Sequence, residues 1–180
     1  MAAAKRRWVA LGYNLPVNPS KNRVYVWRKL KDFGAAYFKQ GVAVLPMGKD
    51  KIAQFTALSQ RVKEMGGEAS LIEIVFIDPN DELELIAKFK QQSQSEYFEM
   101  LEIYQRLRSD LECDSNLREN LMNNSDRIRS VFKQYMRMRS RQHFKISMNE
   151  DLEKGLGEIS DMLKVSANEI SEKLRKMLDA

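Results

Sequence analysis

With 180 residues, 43% apolar and 31% charged side chains, the chain holds enough apolar matter for a real core, and four prolines and eight glycines are too few for a linker-dominated or disordered protein. Apolar runs such as Leu71–Ile77, interrupted by Glu73, are far too short to span a bilayer. Lys5, Arg6 and Arg7 are followed by Gly12, Asn14 and Pro16 rather than by an unbroken apolar stretch, and the single Cys113 can neither form an intrachain disulfide nor, with His143 alone, hold zinc. A soluble cytoplasmic protein is expected.

The net charge of +5 is modest, but its distribution is uneven. Residues 1–31 carry Lys5, Arg6, Arg7, Lys21, Arg23, Arg28, Lys29 and Lys31 with no acid, and residues 127–145 carry Arg127, Arg129, Lys133, Arg137, Arg139, Arg141 and Lys145 with no acid. The stretch from Glu68 to Glu119 between them is acidic. Such segregation suits a polyanionic partner, or equally lets the two basic ends dock on the acidic middle.

In chain order, Trp8–Leu15 alternates and reads as a strand stopped by Pro16. Ser20 is placed to cap a helix on which Val26, Trp27, Leu30 and Phe33 share one arc, closed by Gly34. Ala36–Leu45 is a strand pair or a strand bulged at Gly41. Asp50 caps a second helix, with Ile52, Phe55, Leu58 or Ser59, and Val62 inward, ending at Gly66-Gly67; Leu71–Ile77 is a further strand ended by Asp78-Pro79. The order strand, helix, two strands, helix, strand predicts an α+β fold, a ferredoxin-like βαββαβ domain over residues 1–80 followed by an all-helical extension over 81–180. In that extension Asp81–Glu112 is helical with a break near Ser93 and Ser95. Ser125 caps a helix with Ile128, Val131 or Phe132, Tyr135 and Met138 inward, and Glu150–Lys164 and Ser166–Leu178 close the chain, the former weakened by Gly155 and Gly157.

Catalytic patterns are missing from the sequence. Gly66-Gly67 leads into a strand rather than a phosphate-cradling helix, and no nucleophile, base and orienting group fall in a recognisable spacing. A metal-dependent nuclease on such a fold wants an acid at the end of the first strand, where Asn14 stands, while Asp78 beside Pro79 reads as a turn former. A non-enzymatic protein without cofactor or metal is expected. Basic side chains offer the better candidates. Lys21, Arg28 and Lys31 fall on the outer side of the first helix, with Lys29 beside them, and Arg23 lies at the edge of the apolar arc near Trp27. Trp27 itself reads as core packing. Lys133, Arg137 and Arg141 repeat every fourth residue along one helix face, a basic ridge suited to phosphates, to a membrane surface, or to simple docking.

The series Trp8–Leu15-Pro16, Pro19-Ser20, Arg23-Val24-Tyr25-Val26-Trp27-Arg28, Gly34-Ala35, Gly41-Val42, Val44-Leu45-Pro46, Gly66-Gly67-Glu68-Ala69 and Glu96-Tyr97 resembles the N-terminal domain of ChrB proteins, over about residues 7–112. Arg141-Gln142-His143-Phe144 echoes the family only loosely, lacking an acid there. The resemblance implies a chromate-responsive transcription regulator whose N-terminal part contacts promoter DNA. The separate C-terminal domain associated with chromate sensing is expected to be missing, since the sequence stops at Ala180. It also implies that Arg23 and Arg28, at either end of Val-Tyr-Val-Trp, grip phosphates or a guanine edge. DNA contacts are thus expected from Arg23, Arg28, Lys29, Lys31, Lys133, Arg137 and Arg141. The expected partners are double-stranded DNA and, through the C-terminal helices, a second copy of the chain, with no membrane partner; an interaction module serving a separate sensor or effector chain is the alternative.

Overall fold

The computed structural model describes residues 6–112, 121, 123–146, 149–166, 172 and 175–179. Cys113 and much of the predicted Ser166–Leu178 helix lie outside them. The first strand, β1 (Trp8–Asn14), is followed by α1 (Ser20–Asp32), β2 (Ala36–Lys39), β3 (Val42–Pro46), α2 (Lys49–Glu64) and β4 (Glu68–Ile74). Three helices then follow, α3 (Pro79–Glu112), α4 (Ser125–Arg141) and α5 (Asn149–Ser166). The chain divides into two compact units, Met1–Gln91 with Arg141–Phe144, and Gln92–Ser140 with Lys145–Ala180. The helical unit therefore begins within α3, not at residue 81, and residues 141–144 return to the sheet unit.

In the sheet unit the four strands lie in the order β2-β3-β1-β4, and every neighbouring pair is antiparallel. Alternation along β1 sorts its side chains to two cores. Val9 and Leu11 join Ala43, Leu45 and Ala69 under Val26 and Leu30 of α1 and Phe55, Leu58 and Val62 of α2, so both helices cover one face. Trp8 and Ala10 face the other way, with Val44, Phe76, Leu85 and Phe89. Trp8 is fully buried, stacks on Phe89 at 5.8 Å, and donates its indole N–H to Glu82 at 2.9 Å. Phe144 comes within 6.1 Å of the same indole, which explains why this short segment belongs to the sheet unit.

Several expected boundaries move. The N-caps of α1 and α2 are Pro19 and Gly48, each with extended backbone, so Ser20 is already helical and Asp50 lies inside the first turn, its carboxylate 2.9 Å from Lys51. Proline suits the cap because that position has no intrahelical N–H bond to lose. The expected break in α3 does not form: Ser93 is buried, and Phe89 and Tyr97, one turn to either side, are each anchored in a core. Against two such anchors, serine's cost of a few tenths of a kcal/mol in a helix is small. The β4 strand is Glu68–Ile74 rather than Leu71–Ile77, and Ile77 is solvent-exposed. Asp78 accepts a hydrogen bond from the Asn80 N–H at 2.9 Å and so opens α3 ahead of Pro79, as a turn former does.

The helical unit has one core of its own. Ile128, Val131, Phe132, Tyr135 and Met138 of α4 meet Tyr97, Tyr104, Leu107 and Leu111 of α3 and Leu152, Leu156 and Ile159 of α5. Gly155 does not break α5, because Tyr104 occupies the space beside it: a Cβ there would lie 2.2 Å from the tyrosine oxygen. At the unit's edge the Tyr135 hydroxyl donates to Glu153 at 2.7 Å, and Arg139 reaches the same carboxylate at 3.3 Å. No helix of the described residues is long and apolar enough to cross a membrane.

Candidate nucleic-acid interface

The separated charges sort themselves residue by residue. Arg7 makes a two-pronged contact with Glu73, one arm at 2.7 Å, and holds that carboxyl below the usual carboxylate range. Arg6 lies 3.9 Å from Glu82, and Arg127 pairs with Asp110. These three dock on the acidic middle. Arg129, Arg139 and Lys145 pair with Asp126, Glu153 and Glu150. Six of the bases are thus occupied by the chain's own acids.

The bases of α1 are different. Asp32 is the one acid in the helix, and its first turn has none. Only Val26 and Leu30 of the helix are buried, so the buried arc is narrower than the periodicity suggests. Arg23 therefore sits outside it and is exposed, as are Lys21, Arg28 and Lys31, while Lys29 is half-buried. Among the described residues neither Arg23 nor Arg28 forms an ion pair. Trp27 is not core: it is 51% exposed, with the Lys31 ammonium 5.7 Å from its ring. Lys29 stands 5.9 Å from the Tyr25 ring. Arg23, Trp27 and Lys31 follow one another at four-residue intervals, a ridge of cation, indole and cation, and Val24 and Arg28 lie alongside. Periodicity alone missed Trp27, whose signal was its position among four bases rather than its hydrophobicity.

The α1 helix ends against the returning segment. Gly34 adopts φ +66°, and a Cβ on it would lie 2.1 Å from the Arg141 carbonyl oxygen. His143 donates its Nε2–H to the Phe33 carbonyl at 2.9 Å. Arg141 is consequently held at the C-terminal end of the α1 helix, in the same unit as Arg23, Arg28, Lys29 and Lys31. Lys133 and Arg137 are exposed on α4 of the helical unit and line a groove of about 650 Å³ with Ser130, Gln134, Met136 and Met177. Of the seven candidate residues, the structure gathers five in the sheet unit and two on a helix of the other unit.

Burial pushes the His143 imidazole below its ordinary value, outweighing the opposite pull of its bond to Phe33. A base whose folded-state pKa is depressed stabilises the fold fully above its unfolded value, near 6.5, and that stabilisation is lost as pH falls through the folded value. The sheet unit is accordingly expected to weaken in urea melts as the buffer is taken from about pH 7 to about pH 5. His143→Gln should flatten the part of this decline that the wild type owes to the imidazole; an unchanged profile would remove His143 from it.

A family model, that of the N-terminal region of protein ChrB, matches residues 23–177. The chain belongs to this family. The match covers most of the chain, which places it among chromate-resistance-related proteins, and it runs well past the expected limit near residue 112. The matched region therefore takes in helices α3, α4 and α5 as well as the sheet unit from Arg23 onward. The match opens at Arg23, so Trp8–Leu15-Pro16 and Pro19-Ser20, the first motifs of the expected resemblance, lie outside it. No curated protein and no solved structure matches the chain.

Proposed function

We propose that this ChrB-family chain is a DNA-binding transcriptional regulator that docks through the outer face of α1. One observation carries the proposal: Arg23, Arg28 and Lys31 stand exposed on a helix whose first turn has no acid, and among the described residues Arg23 and Arg28 form no ion pair, although six other bases of the two basic segments pair with the chain's own acids. Guanidinium groups suit phosphates and the guanine edge, and a major groove about 12 Å wide admits a helix. Arg141, at the end of α1, would extend the phosphate track, with Lys133 and Arg137 a separate contact. The sheet unit belongs, on this reading, to the ferredoxin-like class, supported by its element order, its strand order and the placement of both helices on one face. The protein acts without catalysis, in the cytoplasm.

In gel-shift titrations of the chain's own promoter fragment, Arg23→Ala and Arg28→Ala are each expected to weaken binding by about tenfold or more, the loss of one charged contact worth roughly 1–3 kcal/mol. Unchanged affinity in both variants would refute the assignment. The exposed Trp27 and Val24 favour a second reading, an interaction module whose α1 face takes a protein partner. Co-purification of a second chain that Trp27→Ala abolishes, with no DNA bound at low salt, would select it.

A further inference from the structure

The two edges of the sheet are built differently. The β2 strand is four residues long, its pairing shifts register between Tyr37 and Lys39, and it ends on a lysine. Shortness, irregularity and a cation are the usual devices that keep an edge from pairing with another chain. The β4 strand has none of them. It is seven residues long, pairs with β1 in unbroken register from Glu68 to Ile74, and among the described residues has no strand on its other side. Successive residues of a strand point to opposite faces, yet Ser70, Leu71, Ile72 and Glu73 are all exposed, Leu71 at 39% and Ile72 at 48%. Neither face of this edge is covered at its centre. On the helix side an open groove of about 590 Å³, lined by Thr56, Gln60, Lys63, Ser70 and Leu71, separates α2 from the strand.

We infer that the β4 edge is a dimer interface that takes the β4 edge of a second copy of this chain, antiparallel, about a two-fold axis through Leu71. Leu71 is the midpoint of the strand, so this register pairs all seven residues. It sets Leu71 beside its own copy, Ser70 opposite Ile72, Ala69 opposite Glu73 and Glu68 opposite Ile74, with no acid facing an acid. The charge that would most hinder an added strand, Glu73, is already held by Arg7. Glu68 at one end of the strand is brought to the partner's other end, where Ile74 pairs with Trp8 next to Arg6 and Arg7. The strand is therefore complementary to itself in register, with no acid opposite an acid, as a two-fold contact requires. Among the described residues of the other unit the apolar arcs of α3, α4 and α5 are buried against one another, leaving Phe98 and Met162 as its exposed large apolar side chains. The two-fold of an antiparallel strand pair is normal to the sheet, so both copies carry α1 on the same side of one eight-stranded sheet. The inference stands independently of DNA binding, but such a dimer would present two α1 faces to one duplex.

The test is the mass in solution, by light scattering on a sizing column, of the full chain and of Leu71→Lys/Ile72→Lys. Both side chains are exposed, so the double variant should keep its circular dichroism spectrum. The wild type is expected at about twice 21.0 kDa and the double variant at 21.0 kDa. In a Cys113→Ser background, Leu71→Cys should cross-link to a covalent dimer on mild oxidation, within the Cα separation of roughly 4.4–6.8 Å that a disulfide spans. A wild type that stays at 21.0 kDa at high concentration overturns the inference. So does a dimer that survives the double variant without the Leu71→Cys cross-link, since its interface would then lie elsewhere.

Discussion

Trp8→Ala is expected to lower the stability of the protein by about 3–5 kcal/mol, the range for emptying a fully buried aromatic site. The indole is inaccessible to solvent and touches aromatic rings from three directions: Phe89 stacked at 5.8 Å, Phe76 edge-on at 6.4 Å and Phe144 at 6.1 Å. Those rings come from a long helix, from the segment after β4 and from the returning segment, so an alanine leaves three separate aromatic contacts unfilled. Trp8→Phe keeps most of the contacts and loses the hydrogen bond to Glu82, a cost of roughly 1–2 kcal/mol. Urea melts of the two variants separate packing from hydrogen bonding. A loss below about 1 kcal/mol for the alanine variant would be the size of an ordinary surface change and would contradict this core.

Gly34→Ala is the second large effect, expected at about 3 kcal/mol, of which the left-handed backbone accounts for roughly 1–2. The remainder is steric, because the new methyl would meet the Arg141 carbonyl, a backbone atom that cannot swing aside. Gly66 supplies the control. It has a similar φ of +77°, but a Cβ on it would meet nothing within 4 Å. Gly66→Ala should therefore show the conformational cost alone, and the gap between the two variants measures how firmly residues 141–144 are held against the end of α1. Equal losses would mean that this segment yields freely.

Much of the fold was legible in the sequence because it rests on local periodicity. The inward residues of α2 and α4 were readable from spacing, apart from Ile52, which is exposed, and the order of the four strands along the chain followed from turn residues. What spacing cannot supply is the width of a buried arc, which neighbouring elements decide. Trp27 falls on the apolar side of α1 by angle, yet it stays half-exposed, and so a residue expected in the core is instead part of the candidate interface. Ser93 illustrates the converse: a residue of weak helix propensity is carried through a continuous helix by the packing around it. The return of Arg141–Phe144 to the sheet unit was hidden because it joins positions more than a hundred residues apart, although a histidine and a phenylalanine amid basic residues were a hint of burial. Charge segregation, finally, was visible as a pattern, but which bases pair with acids and which stay exposed depends on tertiary neighbours.

The salt dependence of DNA affinity addresses the α1 interface most directly. Each phosphate contact that is lost should lower the slope of log affinity against log salt by about 0.9. Measured by fluorescence anisotropy on a promoter duplex from about 50 to about 200 mM salt, Arg23→Ala/Arg28→Ala is predicted to reduce the wild-type slope by about 2. A wild type that does not bind, or a double variant whose slope matches the wild type, would contradict a DNA-docking role for α1.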